Sequence, residues 1–152
     1  MIMDKEVYFS DPQTVTTGTD SGLVSEHTYD LGLEARNVGI GHKPLYVVII
    51  VTTAFTSSGS DDDLAVNLIT DDAADLSSPV VVQRLAVIPR ASAAGTKVVG
   101  VIAPLPGYAL LRYLGLQYLS IGDGALTAGA VKAFLTESPD AFVAYASGFE
   151  IA

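Results

Sequence analysis

An all-β fold, an antiparallel β-sandwich of jelly-roll type, is predicted by three features of the sequence. Val, Ile and Thr number 17, 9 and 12 among 152 residues, a bias that favours strands. Apolar runs are short and are cut at regular spacing by Gly, Pro, Asp and Ser, the pattern of sandwiches and barrels. No segment sustains an amphipathic-helix period over three turns.

The elements follow in order. Residues 6–9 form a first strand, closed by Asp11-Pro12. Residues 18–26 are polar and read as a loop, and a weak strand follows at 28–33. Gly39-Ile40-Gly41 makes a turn. After Pro44 the run 45–55 begins as unbroken apolar sequence, as expected of a central strand covered on both faces. Residues 57–63 are a tight polar connection. Residues 64–70 alternate, with Leu64, Val66 and Leu68 on one face and Ala65 and Asn67 on the other.

Residues 71–78 turn again, and a strand at 79–88 ends at Pro89. Residues 96–102 are strand-like, and Gly100 within them marks a bulge or a close backbone approach. Pro104, Pro106 and Gly107 break the chain. Residues 111–121 form a long strand, Gly122-Asp123-Gly124 reads as a hairpin turn, and 126–137 is expected to pair back on that strand. Ser138-Pro139-Asp140 breaks the chain once more before an aromatic tail with Phe142, Tyr145 and Phe149. Eight or nine strands result, a number that suits a jelly roll. No repeat or linker divides the chain, so residues 1–152 are expected to form one domain.

Composition narrows function by exclusion. Charged residues make up 16%, below the usual quarter or so, which points to extensive burial or to surface hidden against partners. The net charge is −9, and the eight cations are scattered singly. Phosphate-driven binding needs clustered Lys and Arg, so direct nucleic-acid contact is not expected. Cysteine is absent, which removes disulfides, thiolate catalysis and Cys-based zinc sites and fits synthesis in a reducing cytoplasm. The N-terminal stretch is charged at Asp4, Lys5 and Glu6 and lacks the apolar core of a signal peptide. The longest strongly apolar run, 45–51, is too short to cross a bilayer as a helix. No membrane partner is expected.

No catalytic constellation emerges, and neither an enzyme nor a cofactor is expected. Asp61, Asp62 and Asp63 offer hard oxygen ligands but lack the spaced positions, central Gly and distal Glu of a calcium loop. They read as a solvated turn whose charges oppose edge aggregation. Asp71, Asp72 and Asp75 repeat the theme, and if both turns lay at one end they would form an acidic rim able to dock a basic arm. His27 and His42 have no positioned companion, and no Gly-x-Ser-x-Gly elbow or phosphate loop is present. Tyr113 and Tyr118 fall on opposite faces of one strand, so the tyrosines do not share one sugar-stacking platform.

Three blocks carry a resemblance. They are Met1-Ile2-Met3-Asp4-Lys5 with Phe9-Ser10-Asp11 and Gln13; Pro44-Leu45-Tyr46-Val47-Val48 running to Thr53-Ala54-Phe55-Thr56; and Leu126-Thr127-Ala128-Gly129-Ala130-Val131, then Ala133-Phe134-Leu135 and the closing Tyr145-Ala146-Ser147-Gly148-Phe149. With Arg112-Tyr113-Leu114 they span the chain in order. The sequence resembles the tailed-phage capsid cement, or decoration, proteins typified by that of a Bordetella phage. It departs from them in the added length of 18–26 and in Ala146, where proline is expected.

The resemblance implies a jelly roll on the outer capsid surface of the virion. It implies a structural role: stapling neighbouring capsomers of the major capsid protein against internal DNA pressure. The expected partners are that protein and a second copy of this chain, as a homodimer or a trimer. Loop residues Gly18, Asp20, Glu26, Asp61, Asp62 and Asp63 are the candidate capsid contacts, because binding groups concentrate on loops carried by a rigid scaffold. A β-sandwich module that binds carbohydrate or a host receptor is the alternative.

Overall fold

The computed structural model describes residues 7–16, 22–32, 44–103 and 110–139. The expected turn at 39–41, the break at 104–107 and the tail from Phe142 lie outside the described residues. Among the described residues there are nine strands: β1 (Tyr8–Thr14), β2 (Leu23–Val24), β3 (Tyr29–Asp30), β4 (Leu45–Ser57), β5 (Asp63–Asp71), β6 (Val80–Ile88), β7 (Lys97–Ile102), β8 (Tyr113–Ile121) and β9 (Leu126–Thr136). No α-helix occurs among the described residues, and the fold they form is all-β.

The strands form two antiparallel sheets. One has the order β1-β9-β4-β7 and the other β2-β8-β5-β6, with β3 also paired to β8. Alternation places Val47, Ile49 and Val51 of β4 in the core, opposite Leu64, Val66 and Leu68 of β5 and Leu114, Leu116 and Tyr118 of β8. All nine are fully buried. Removing each aliphatic side chain from water contributes about 1.5–3 kcal/mol. Phe9, Phe55 and Val131 complete the cluster.

Four expectations need correction. The first strand does not stop at Asp11-Pro12 but runs through it to Thr14, with register shifts on either side of Ser10. Proline is tolerated because β1 is an edge strand, where one missing ladder donor faces away from the sheet. The segment 18–26 is not wholly loop, since Leu23 and Val24 pair with Tyr118 and Gln117.

Strand β5 is not half-exposed. Ala65, Asn67 and Ile69 are as buried as the core-facing residues. The Asn67 amide donates to Gln117 at 3.1 Å and accepts from Arg84 at 3.4 Å, so both neighbouring strands shield it. Leu76 folds over Gly115, the partner of Ile69, and leaves no room for a side chain there.

The most consequential correction concerns β8 and β9. They do not form a hairpin, because β8 pairs with β5 and β9 pairs with β1 and β4. Gly122-Asp123-Gly124 therefore carries the chain from one sheet to the other. Gly100, by contrast, behaves as expected. The β4–β7 register is unbroken, and a Cβ at Gly100 would stand 2.8 Å from that of Leu85 on β6. The glycine marks a close approach between the sheets, not a bulge.

Candidate functional site

The β4–β5 turn, the β8–β9 crossing and the start of the β6–β7 loop meet at one end of the sandwich. The acidic run in the first of these is only partly solvated. Asp61 is exposed and Asp63 half-buried, but Asp62 is fully buried. The Asp62 carboxylate accepts the amide of Gly59 at 2.8 Å and that of Gly124 at 2.6 Å. It is thus the bolt between two turns, one entering β5 and one entering β9.

Burial alone would push the Asp62 carboxyl up. The Gly124 and Gly59 amides, helped by the charge of Arg90, outweigh that and hold it below the usual carboxylate range. The loop after β6 adds a third strap. The Arg90 amide donates to Asp63 at 2.9 Å, and its guanidinium donates to the Ser57 hydroxyl at 3.0 Å and to the Gly59 carbonyl at 2.6 Å. Asp123 accepts the Ser60 amide at 3.1 Å, and Ser58 bonds both ways with Ala125. A rigid, backbone-stitched end results, presenting Asp61 and Asp123 to solvent.

Among the described residues, no three His, Asp or Glu side chains are grouped to hold a metal ion. The reason is visible at Asp62, whose two oxygens already face amide hydrogens.

The Asp71–Asp75 turn lies at the other end of β5, so the two acidic turns do not combine into one rim. Asp71 is buried and accepts the amides of Ala73 and Ser78 at 3.1 and 2.7 Å, which hold its carboxyl below the usual range. Glu26 is exposed and stands beyond β2, on the side of β8 away from β5. It is therefore not brought beside Asp61. Gly18 and Asp20 lie outside the described residues, as does His42. His27 is exposed, and its amide donates to the Phe9 carbonyl at 3.0 Å.

Sequence reasoning missed a polar seam between the sheets. The Ser10 hydroxyl of β1 lies 2.7 Å from the Tyr118 hydroxyl of β8, and it donates to Gln13 at 2.7 Å. Gln13 donates to the Val24 carbonyl at 2.8 Å and accepts the Glu26 amide at 3.0 Å. All three side chains are buried. Burial also pushes the Tyr118 hydroxyl pKa well up. The only local signal was the spacing of Ser10 and Gln13 around Pro12, which their loop-like company concealed. Tyr118 is thereby removed from any exposed aromatic platform.

No curated protein matches the chain. The Bbp16 family profile, however, matches residues 9–135, from the first strand of the sandwich to the last. That match takes in both sheets and the stitched turns, and by it the chain belongs to the Bbp16 family, the Bordetella phage cement protein family.

Proposed function

We propose that this protein is a capsid cement. It binds the outside of an icosahedral phage head and ties neighbouring capsomers of the major capsid protein against the pressure of packaged DNA. The observation that carries this is the family match over residues 9–135. The strand order supports the jelly-roll form of that family. With β2 and β3 counted as one interrupted strand, each sheet has four strands, and the chain changes sheet at every connection except the one from β5 to β6, the order of a double Greek key.

The mechanism is mechanical. A sandwich whose turns are bolted by Asp62 and strapped by Arg90 transmits load between contacts at different points of its surface. Each contact can be weak, since many symmetry copies share the load and each engages more than one capsomer. A homodimer doubles the contacts each unit makes, and the low charged fraction favours such self-association.

The test is a particle map at modest resolution, with the composition of purified heads measured beside it. Stoichiometric protein, seen as density over the seams between capsomers on the outer surface, is the expected result. Its absence from intact heads, or a position inside the shell, overturns the proposal.

A further inference from the structure

The β1-β9-β4-β7 sheet has one face on the core and one turned outward. Val47, Ile49 and Val51 of β4 take the inner face, so Tyr46, Val48 and Ile50 take the outer one. Pairing carries that outer face across all four strands. Tyr8, Phe134, Val48 and Val99 stand in one row, and Lys132, Ile50 and Lys97 stand in the next.

Side chains on the outward face of a free sheet are flanked by their neighbours and keep their tips in water. This row does not behave that way. Val48 is 0% exposed and Phe134 2%, while Val99, at the end of the same row, is 38% exposed. Neither Val48 nor Phe134 belongs to the core cluster between the sheets. The Tyr8 ring meets that of Phe134 edge-on, with centroids 5.7 Å apart, and closes the β1 flank of the row. Burial this complete at the middle of the row needs a layer above β9 and β4.

The path of the chain after β9 says what that layer is. Strand β9 ends at Thr136, which pairs with Tyr46, and Lys97 pairs with Ile50 on the far side of β4. Had β9 continued straight, Pro139 would lie seven residues along the strand axis from Lys97, about 23 Å. A lysine does not reach that far. Instead the Ser138 amide donates to the Thr136 hydroxyl at 3.1 Å, and the Pro139 carbonyl accepts the Lys97 ammonium at 2.6 Å. The chain has doubled back and crossed toward β7, so residue 140 starts over the outer face.

We propose that residues 140–152 of this same chain form a strap across the outer face of the β1-β9-β4-β7 sheet, its aromatic side chains seated on Val48 and Phe134. The segment reads DAFVAYASGFEIA, with Phe142, Tyr145 and Phe149 set among small residues and only two charges. Thirteen residues reach up to about 43 Å when extended, against about 14 Å across four strands. The tail of a second copy fits less well, because Pro139 already delivers this chain's own tail to the face. The strap lies beyond the residues matched by the family, which end at 135. A strapped face is closed to the shell, so capsid contacts fall elsewhere on the sandwich. The inference stands independently of the cement function.

The chain has no cysteine, so a single introduced thiol reports accessibility cleanly. Val48→Cys and, as an exposed control, Val99→Cys are made in the full chain and their reaction with N-ethylmaleimide is timed. Each is then combined with Phe142→Ser, Tyr145→Ser and Phe149→Ser together, and melting checks the fold. The Val48→Cys thiol is expected to react slowly in the full chain and roughly tenfold or more faster with the three serines, while the Val99→Cys thiol reacts fast in both. An unchanged rate at position 48 overturns the strap. Protection that fades on dilution assigns the cover to another copy and overturns the same-chain assignment. Nuclear Overhauser contacts in the unsubstituted protein give a second readout that does not depend on the variants folding. The Val48 methyls and the Phe134 ring should meet the rings of Phe142, Tyr145 or Phe149. Contacts to residues 1–6 in their place, or to none of the three rings, overturn the proposal.

Discussion

Gly129 lies where β9 passes the irregular middle of β4, between register shifts at Val51 and Thr56. Its φ is 137°, and a Cβ there would overlap the ring of Phe55, which is buried in the core. Gly129→Ala therefore combines two penalties. Holding an L-residue at such a φ costs about 1–3 kcal/mol. Forcing a methyl group into packed core adds about 1–3 kcal/mol. Gly95 supplies the control, because its φ is 90° but nothing stands within 4 Å of a Cβ placed there. Gly95→Ala should show only the backbone penalty, about 1–2 kcal/mol.

The assay is urea unfolding, with the midpoint shifted and the slope unchanged. The larger loss at Gly129, about 4 kcal/mol, corresponds to a fall in melting temperature of roughly 8–16 °C for a chain of this size. Phe55→Leu should be less harmful in the G129A background than alone, because it relieves the overlap. Equal losses at Gly95 and Gly129, with Phe55→Leu strictly additive, would refute the packing argument.

Other outcomes follow from the same structure. The carboxyls of Asp30, Asp62 and Asp71 are held below their ordinary values, by Arg112 and by backbone amides. A lowered folded-state value gives stability that is present above the unfolded value, about 3.9, and lost as pH falls through the folded one. Urea midpoints should thus stay level from about pH 7 to 5 and drop below about pH 4. Asp62→Asn should lower the plateau and shrink the acid drop. Because Asp62 is already bonded to Gly59 and Gly124, melting curves with calcium and with chelator should coincide, and a large rise with calcium would contradict this account of the turn. Sedimentation at micromolar concentration should show a homodimer; a monomer at every concentration would count against self-association.

The strands were legible where the sequence carried local signals. Pro89 ends β6, the apolar run after Pro44 becomes the doubly covered β4, and Gly100 marks a close approach between the sheets. What was not legible depends on partners distant in sequence. Gly122-Asp123-Gly124 announces a sharp turn, but whether the next strand pairs back or crosses over is decided by β1, β4 and β5. The alternation of β5 was real, yet its polar face is covered by Arg84 and Gln117 from neighbouring strands. Of the candidate contacts, Asp61 and Asp63 remain accessible, while Asp62 became internal because two turns needed an acceptor. A run of three aspartates does not say which of them points inward.

The central claim, that this protein reinforces a capsid, is tested most directly by the rupture temperature of DNA-filled heads. Heads with and without the protein are heated and the release of DNA is followed. Heads lacking it should leak at a lower temperature, and adding purified protein back should restore the higher one. Rupture at the same temperature in both preparations would contradict the cement function.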